Sequence, residues 1–122
     1  MDKKRSVNLY LDDKRDCPSG FVIARTVDEA IRYLENYDVH ILSLDHDLGE
    51  DAEGELLKTG YDLVKYICAN GLRANKIYIH TSNPVGREDM YKTLLSAQKR
   101  GFIDSDIQIR YYSITIDKYS NE

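Results

Sequence analysis

The chain has 122 residues, enough for one hydrophobic core and too few for two domains of ordinary size, so residues 1–122 are read as a single domain. Apolar residues at 42% and charged residues at 31% match an ordinary globular protein, and no apolar run approaches the ~20 residues that a membrane helix needs. A net charge of −4 argues against a dedicated nucleic-acid binder, which would carry a basic stripe, but a small anionic ligand remains open if local cations or a metal receive it.

The basic start Met1 to Arg5 runs directly into a strand pattern with no longer apolar stretch or cleavage site. No secretory leader is expected there, and the protein is expected to be cytoplasmic. Cys17 and Cys68 are too few for a disulfide framework or a zinc knuckle and are read as reduced.

Residues 7–11 alternate and end on Asp12-Asp13, the pattern of a strand that delivers acids to its carboxyl end. Pro18 and Gly20 make residues 14–20 a coil, and residues 21–25 form a second strand. Thr26 and Glu29 form a capping box for a helix running to about Tyr37, with Val27, Ala30, Ile31 and Leu34 on its buried face. A third strand over 40–45 ends on Asp45-His46-Asp47, and a loop over 49–59 follows. A helix over 61–70 carries Leu63, Val64, Ile67 and Cys68 on one side and stops at Gly71. A fourth strand over 76–80 ends on His80-Thr81-Ser82. Asn83-Pro84 starts the last helix, buried through Met90, Leu94 and Ala97 and ended by Gly101, and residues 107–116 form a fifth strand.

Strand and helix alternate from the second strand onward, which predicts an α/β fold with a mainly parallel five-stranded sheet. In such sheets the ligand crevice lies at the carboxyl ends of the strands. Three strand ends therefore converge there: Asp12-Asp13, Asp45-His46-Asp47 and His80-Thr81-Ser82. Taken singly, two have a bland reading, since an Asp-Asp pair commonly caps a turn and a lone histidine at a strand end is often a hydrogen-bonded structural group. For Asp45-His46-Asp47 that reading is weaker, because charged groups ending a buried strand rarely lie buried without partners or a metal. Together on one sheet edge they point to a site.

Leu11-Asp12-Asp13, the aspartate ending the third strand, and Thr81 ending the fourth resemble the response-regulator receiver domain. That likeness implies a flavodoxin-like fold in which paired acids bind magnesium, a third aspartate accepts phosphate and a hydroxyl contacts the phosphoryl group. Two features depart from it. Residues 106–116 contain no lysine, Arg110 being the nearest cation, whereas receivers place one at the end of the fifth strand. His46 and His80 are also foreign to receivers. With Leu11 to Arg15 and Pro18, the segments Ser43 to Gly49 and Ile79 to Pro84 look like the cyclic-phosphate processing receiver domain, a family named for a predicted activity on nucleotide cyclic phosphates.

The resemblance implies phosphoesterase-type processing of a nucleotide or RNA-end cyclic phosphate. Opening such a diester needs an activated water, a proton for the departing alkoxide and groups that receive the charged oxygens. His46 and His80 suit the proton roles because imidazole titrates near neutral pH, with Asp45 as a third catalytic candidate. Neither histidine is expected in the core. Clustered Asp12, Asp13, Asp45 and Asp47 favour a hard divalent cation with oxygen ligands, magnesium or manganese first, with zinc also suited to the adjacent histidines. Arg15 and Arg87 are candidate phosphate clamps, and Thr81, Ser82 and Asn83 line the helix start, where free N–H groups receive anions. A capped helix with a solvated arginine is the plain alternative for Arg87. A non-catalytic nucleotide-binding module and a receiver-type phosphoacceptor regulator are the competing functions.

In a receiver the first and fifth helices cover one sheet face, and both are expected to be missing here. The face bearing Asn8, Tyr10, Ser43, Tyr78, Gln108, Arg110 and Tyr112 should then be bare. A parallel sheet normally has both faces covered, so this tyrosine-rich face is expected either to form a homodimer or to stack a nucleobase on Tyr10, Tyr78 or Tyr112.

Overall fold

The computed structural model describes residues 4–111. Its elements in chain order are β1 (Ser6–Leu11), β2 (Val22–Ala24), α1 (Val27–Asn36), β3 (Asp38–Leu44), α2 (Gly60–Asn70), β4 (Ala74–Ile79), α3 (Pro84–Lys99) and β5 (Gln108–Tyr111). The five strands form one sheet in the order β2-β1-β3-β4-β5, and every pairing is parallel. This is the strand order of the flavodoxin-like receiver fold, with its switch point between β1 and β3.

The period-2 pattern of the strands decides which residues meet the helices. Leu9 and Leu11, Leu42 and Leu44, Ile77 and Ile79, and Ile109 join Val27, Ala30, Leu34, Leu63, Val64, Ile67, Met90, Leu94 and Ala97 in one core. All three helices thus serve the same sheet face. Each begins on a side-chain cap: Thr26 accepts from the Glu29 N–H, Thr59 and Asp62 complete a capping box, and Asn83 accepts from the Gly86 N–H.

Residues 12–21 contain no helix, as the proline and glycine in that stretch require. Several strand ends move by a residue or two from their sequence limits. β2 shortens to Val22–Ala24, whereas β3 starts at Asp38 and β4 at Ala74 because Val39 pairs with both Val7 and Ala74 at the start of the sheet. β5 begins at Gln108 rather than 107. The rest of the expected fifth strand, Tyr112 included, and the expectation that no fifth helix follows it lie outside the described residues.

The opposite sheet face carries one continuous row, Tyr10 beside Ser43, Ser43 beside Tyr78, and Tyr78 beside Arg110. The expectation that this face is bare needs correction. Tyr10 is 6% exposed, Ser43 0% and Tyr78 2%, so these three positions are buried rather than bare. Among the described residues of that edge, Gln108, Arg110 and Tyr111 are the exposed ones. Among the described residues, no helix is long and apolar enough to cross a membrane.

Candidate functional site

Asp12, Asp45 and His80 are each the first residue beyond a strand. The ladder nevertheless continues through their backbones: Asp12 N–H donates to Ala24, Asp45 N–H to Leu11 and His80 N–H to Leu44, at 2.9–3.1 Å. Sheet geometry therefore fixes all three side chains at the switch point. One ligand atom from each lies within 4.8 Å of the others, and all three residues are buried.

His80 is the centre of a buried chain of polar groups. Its Nδ1 is 2.7 Å from Ser43 Oγ and its Nε2 is 3.0 Å from Asp12 Oδ2. The Tyr10 ring stacks on the imidazole, 4.2 Å between centroids and 4° from parallel. An ionised Asp12 can only accept, so Nε2 carries the proton and, in the neutral ring, Nδ1 accepts from the Ser43 hydroxyl. Burial alone would raise the Asp12 carboxyl. The His80 bond and the backbone N–H groups of Arg15 and Lys14 outweigh it and hold Asp12 well below the usual carboxylate range.

This geometry corrects the expectation that His80 lies outside the core. At 4% exposure, with both ring nitrogens engaged, it stands behind Asp12 rather than at the surface of the cleft.

His46 is half-buried beside the first turn of α3. Its Nδ1 is 2.9 Å from Asp47 Oδ1, and Asn83 Nδ2 donates to the other Asp47 oxygen at 3.2 Å. The bond to His46 and the Asn83 amide lower the Asp47 carboxyl. A carboxylate on Nδ1 makes that nitrogen the N–H and leaves Nε2 as an acceptor, and Nε2 has no hydrogen-bond partner among the described residues. The His46 backbone N–H donates to Asp45 Oδ1 at 2.8 Å, which ties the two residues together.

Two glycines that sequence reading passed over hold this segment in place. A Cβ on Gly86 would come within 2.5 Å of the His46 ring, and a Cβ on Gly60 would run into the Asp45 carbonyl oxygen. Gly60 N–H also donates to the His46 carbonyl at 2.8 Å. The Asp45-His46 turn is thus wedged between the first turns of α2 and α3. The available signal was a glycine inside each first turn, where a helix former would ordinarily be better.

Asp45 is pushed up by burial and by the neighbouring Asp12 charge, against the opposing hydrogen bond from Thr81. Arg15 reaches into the same corner: its Nη1 donates to Asp12 Oδ2 at 3.3 Å and lies 3.9 Å from Asp45 Oδ2. Outside this corner is a cleft of about 410 Å³ lined by Asp13, Lys14, Arg15, Asp45, Asp47, Gly49 and Ser82.

Most of the expected site residues therefore meet. Asp13 and Asp47 line the cleft without joining the Asp12–Asp45–His80 cluster. Thr81 is buried beneath Asp45, Ser82 is at the lip and Asn83 braces Asp47. Arg87 turns toward β5, its guanidinium 5.0 Å from the centroid of the Tyr111 ring. It does not line the cleft.

The family model described as "Cyclic-phosphate processing Receiver domain" matches residues 7–96, well over half of the chain and every site residue above. The chain belongs to this family. No curated protein matches it. A crystal structure of a response regulator receiver domain protein (CheY-like) from Methanospirillum hungatei JF-1 is similar at 16% identity and a TM-score of 0.47. The alignment covers 95% of this chain and 85% of that one.

The corner also suits a divalent cation chemically. Asp12 and Asp45 offer hard carboxylate oxygens that magnesium or manganese accepts, with His80 engaged at both nitrogens behind them.

Proposed function

We propose that this domain hydrolyses a nucleotide or RNA-end cyclic phosphate in the cleft above Asp45, with His46 as the proton-transfer group. The observation that carries the reading is the Asp47–His46 dyad. It leaves His46 Nε2 without a hydrogen-bond partner among the described residues, and its Asp47 lines the cleft that also holds Arg15, Lys14 and Ser82 for a phosphate.

His46 Nε2 accepts a proton from the attacking water and, as imidazolium, returns it to the alkoxide released when the ring P–O bond breaks, while Asp47 stabilises the imidazolium and Asn83 keeps Asp47 in line. Arg15 and Lys14 receive the charge that develops on the phosphate oxygens. A divalent cation held by Asp12 and Asp45 would polarise the phosphate and lower the pKa of a bound water. His80 serves as a positioning residue that fixes Asp12. This role replaces the proton-transfer role expected of it from the sequence, since neither of its nitrogens is open to a substrate.

A receiver-type phosphoacceptor role for Asp45 has one specific observation in its favour, the Thr81 hydroxyl on the Asp45 carboxylate. Against it, the described part of β5 offers Arg110 and no lysine.

Incubation with 2′,3′-cyclic and 3′,5′-cyclic nucleotides, with magnesium, with manganese and with chelator, followed by separation of products, tests the proposal. A ring-opened monophosphate is expected. Ligand binding without product from any cyclic phosphate would move the assignment to a binding module. An acid-labile phosphate on Asp45 after treatment with a small phosphodonor would move it to a regulator.

A further inference from the structure

We infer that Arg15 is an exchangeable internal cation: it neutralises the Asp12–Asp45 pair in the metal-free domain and is released into the cleft, as a phosphate clamp, when a divalent cation takes that pair. The inference rests on the cleft reading above and adds to it an order of events.

The argument begins with the acceptor capacity of Asp12. An ionised carboxylate has about four lone-pair positions. Here four donors use them. Oδ1 accepts the backbone N–H groups of Lys14 and Arg15, both at 2.9 Å, and Oδ2 accepts His80 Nε2 at 3.0 Å and Arg15 Nη1 at 3.3 Å. Asp12 can turn toward a cation only by giving up one of them.

The four are not equally movable. The two backbone N–H groups belong to a turn that Arg25 clamps from behind, its Nη1 donating to the carbonyls of Asp12 at 3.2 Å and Arg15 at 3.0 Å. His80 is held by Ser43 on its other nitrogen and by the Tyr10 stack. The Arg15 side chain is 40% exposed and makes the longest of the four contacts. It is the donor that leaves.

Where it goes is constrained as well. The Arg15 backbone stays fixed at both its N–H and its carbonyl, so the released guanidinium remains tethered at the wall it shares with Lys14, Ser82 and Gly49. A guanidinium offers a planar pair of donors that match two phosphate oxygens. Cation entry and anion capture are thereby coupled through one side chain, each favouring the other.

The test is a titration of chelator-treated, full-length protein with Mn²⁺, followed by the electron paramagnetic resonance signal of the free ion. Removing the competing cation in Arg15→Gln should tighten Mn²⁺ binding by about 3- to 10-fold, the range of a partly exposed ion pair. Arg15→Lys should lie between the two, and Asp45→Asn should lose the binding. A second titration with inorganic phosphate should show Mn²⁺ strengthening phosphate binding to wild type and doing so far less in Arg15→Gln. Circular dichroism confirms that each variant is folded. Mn²⁺ binding that is unchanged or weaker in Arg15→Gln overturns the exchange, as does binding that survives Asp45→Asn, or no binding by either wild type or Arg15→Gln. These readouts need no turnover. Tighter Mn²⁺ binding in Arg15→Gln without product from any cyclic phosphate would leave Arg15 exchange standing and remove the hydrolase. Turnover with unchanged Mn²⁺ affinity would do the reverse.

Discussion

His80 Nε2 and Asp12 Oδ2 are 3.0 Å apart in a part of the sheet where both side chains are almost fully buried, at 5% and 0% exposure. A buried carboxylate that loses such a donor keeps its desolvation penalty and has little to offset it. His80→Ala should therefore destabilise the domain by about 3 kcal/mol or more, the stacking on Tyr10 being lost as well. Ser43→Ala removes only the outer link of the chain and should cost about 1 kcal/mol. Urea unfolding in chelator would compare them. Equal, small effects would mean that the chain through His80 contributes little to folding.

Asp12 and Asp45 sit side by side yet should respond to acid in opposite senses. The Asp12 carboxyl is lowered in the fold, so its contribution is present above the unfolded value of about 3.9 and is lost as the pH falls through its folded value. Asp45 is raised, so its ionisation is penalised in the fold at neutral pH, and acidification through its folded value relieves the penalty. Asp45→Asn should stabilise the metal-free domain at pH 7, since an Asn oxygen can still accept the His46 N–H, and the gain should disappear below about pH 3.9. Asp12→Asn should destabilise at pH 7. Unfolding curves of both variants at pH 7 and pH 4 would show whether the signs differ.

How much of this was legible in the sequence follows from what each signal encodes. Strand and helix periodicity, the Thr26 cap and the Asn83-Pro84 start report local preference, and among the described residues they located all eight elements to within a few residues. The three strand ends were legible because a parallel sheet must bring them to one edge. The depth of His80 was not. Its burial depends on Tyr10 from β1 lying flat against it and on Ser43 from β3 bonding its far nitrogen, and no local pattern records either contact. Arg87 was misplaced for a related reason: a position in a helix's first turn does not say which way a long side chain leans, and Tyr111 draws it toward β5. The tyrosine face read as bare because alternation counts residues per face and says nothing about what covers them.

Gly60 and Gly86 offer a way to separate folding from function. At Gly60 an added methyl meets the Asp45 carbonyl, which is fixed backbone, and Gly60→Ala should cost about 1–3 kcal/mol by overpacking. At Gly86 it meets the His46 ring, a side chain with 19% exposure that can move aside. The helix also gains up to about 1 kcal/mol when alanine replaces glycine. Gly86→Ala should leave the melting temperature nearly unchanged while breaking the His46–Asp47 bond. The nitrogen chemical shifts of the His46 ring would report the lost tautomer preference directly, and shifts identical to wild type would mean that Gly86 does not position the ring.

The last prediction concerns His46 and Asp47 together, because only the pair explains why one nitrogen is left free. If His46 Nε2 removes the proton from water, His46→Ala should lower turnover of the best cyclic phosphate by ~10²- to 10⁴-fold, the range of a general acid–base group. Stability should change by less than about 1 kcal/mol, as His46 contacts solvent and Asp45 bonds only its backbone. Asp47→Asn keeps the size of the side chain but no longer selects the Nδ1–H form. It should slow turnover by about 10-fold or more, and the nitrogen chemical shifts of the His46 ring should show the loss of the Nδ1–H form. A purely structural role for Asp47 would reduce the rate without changing those shifts. Should His46→Ala retain full activity while Asp45→Asn abolishes it, the cation corner alone would carry the chemistry and the dyad would be a brace for the loop.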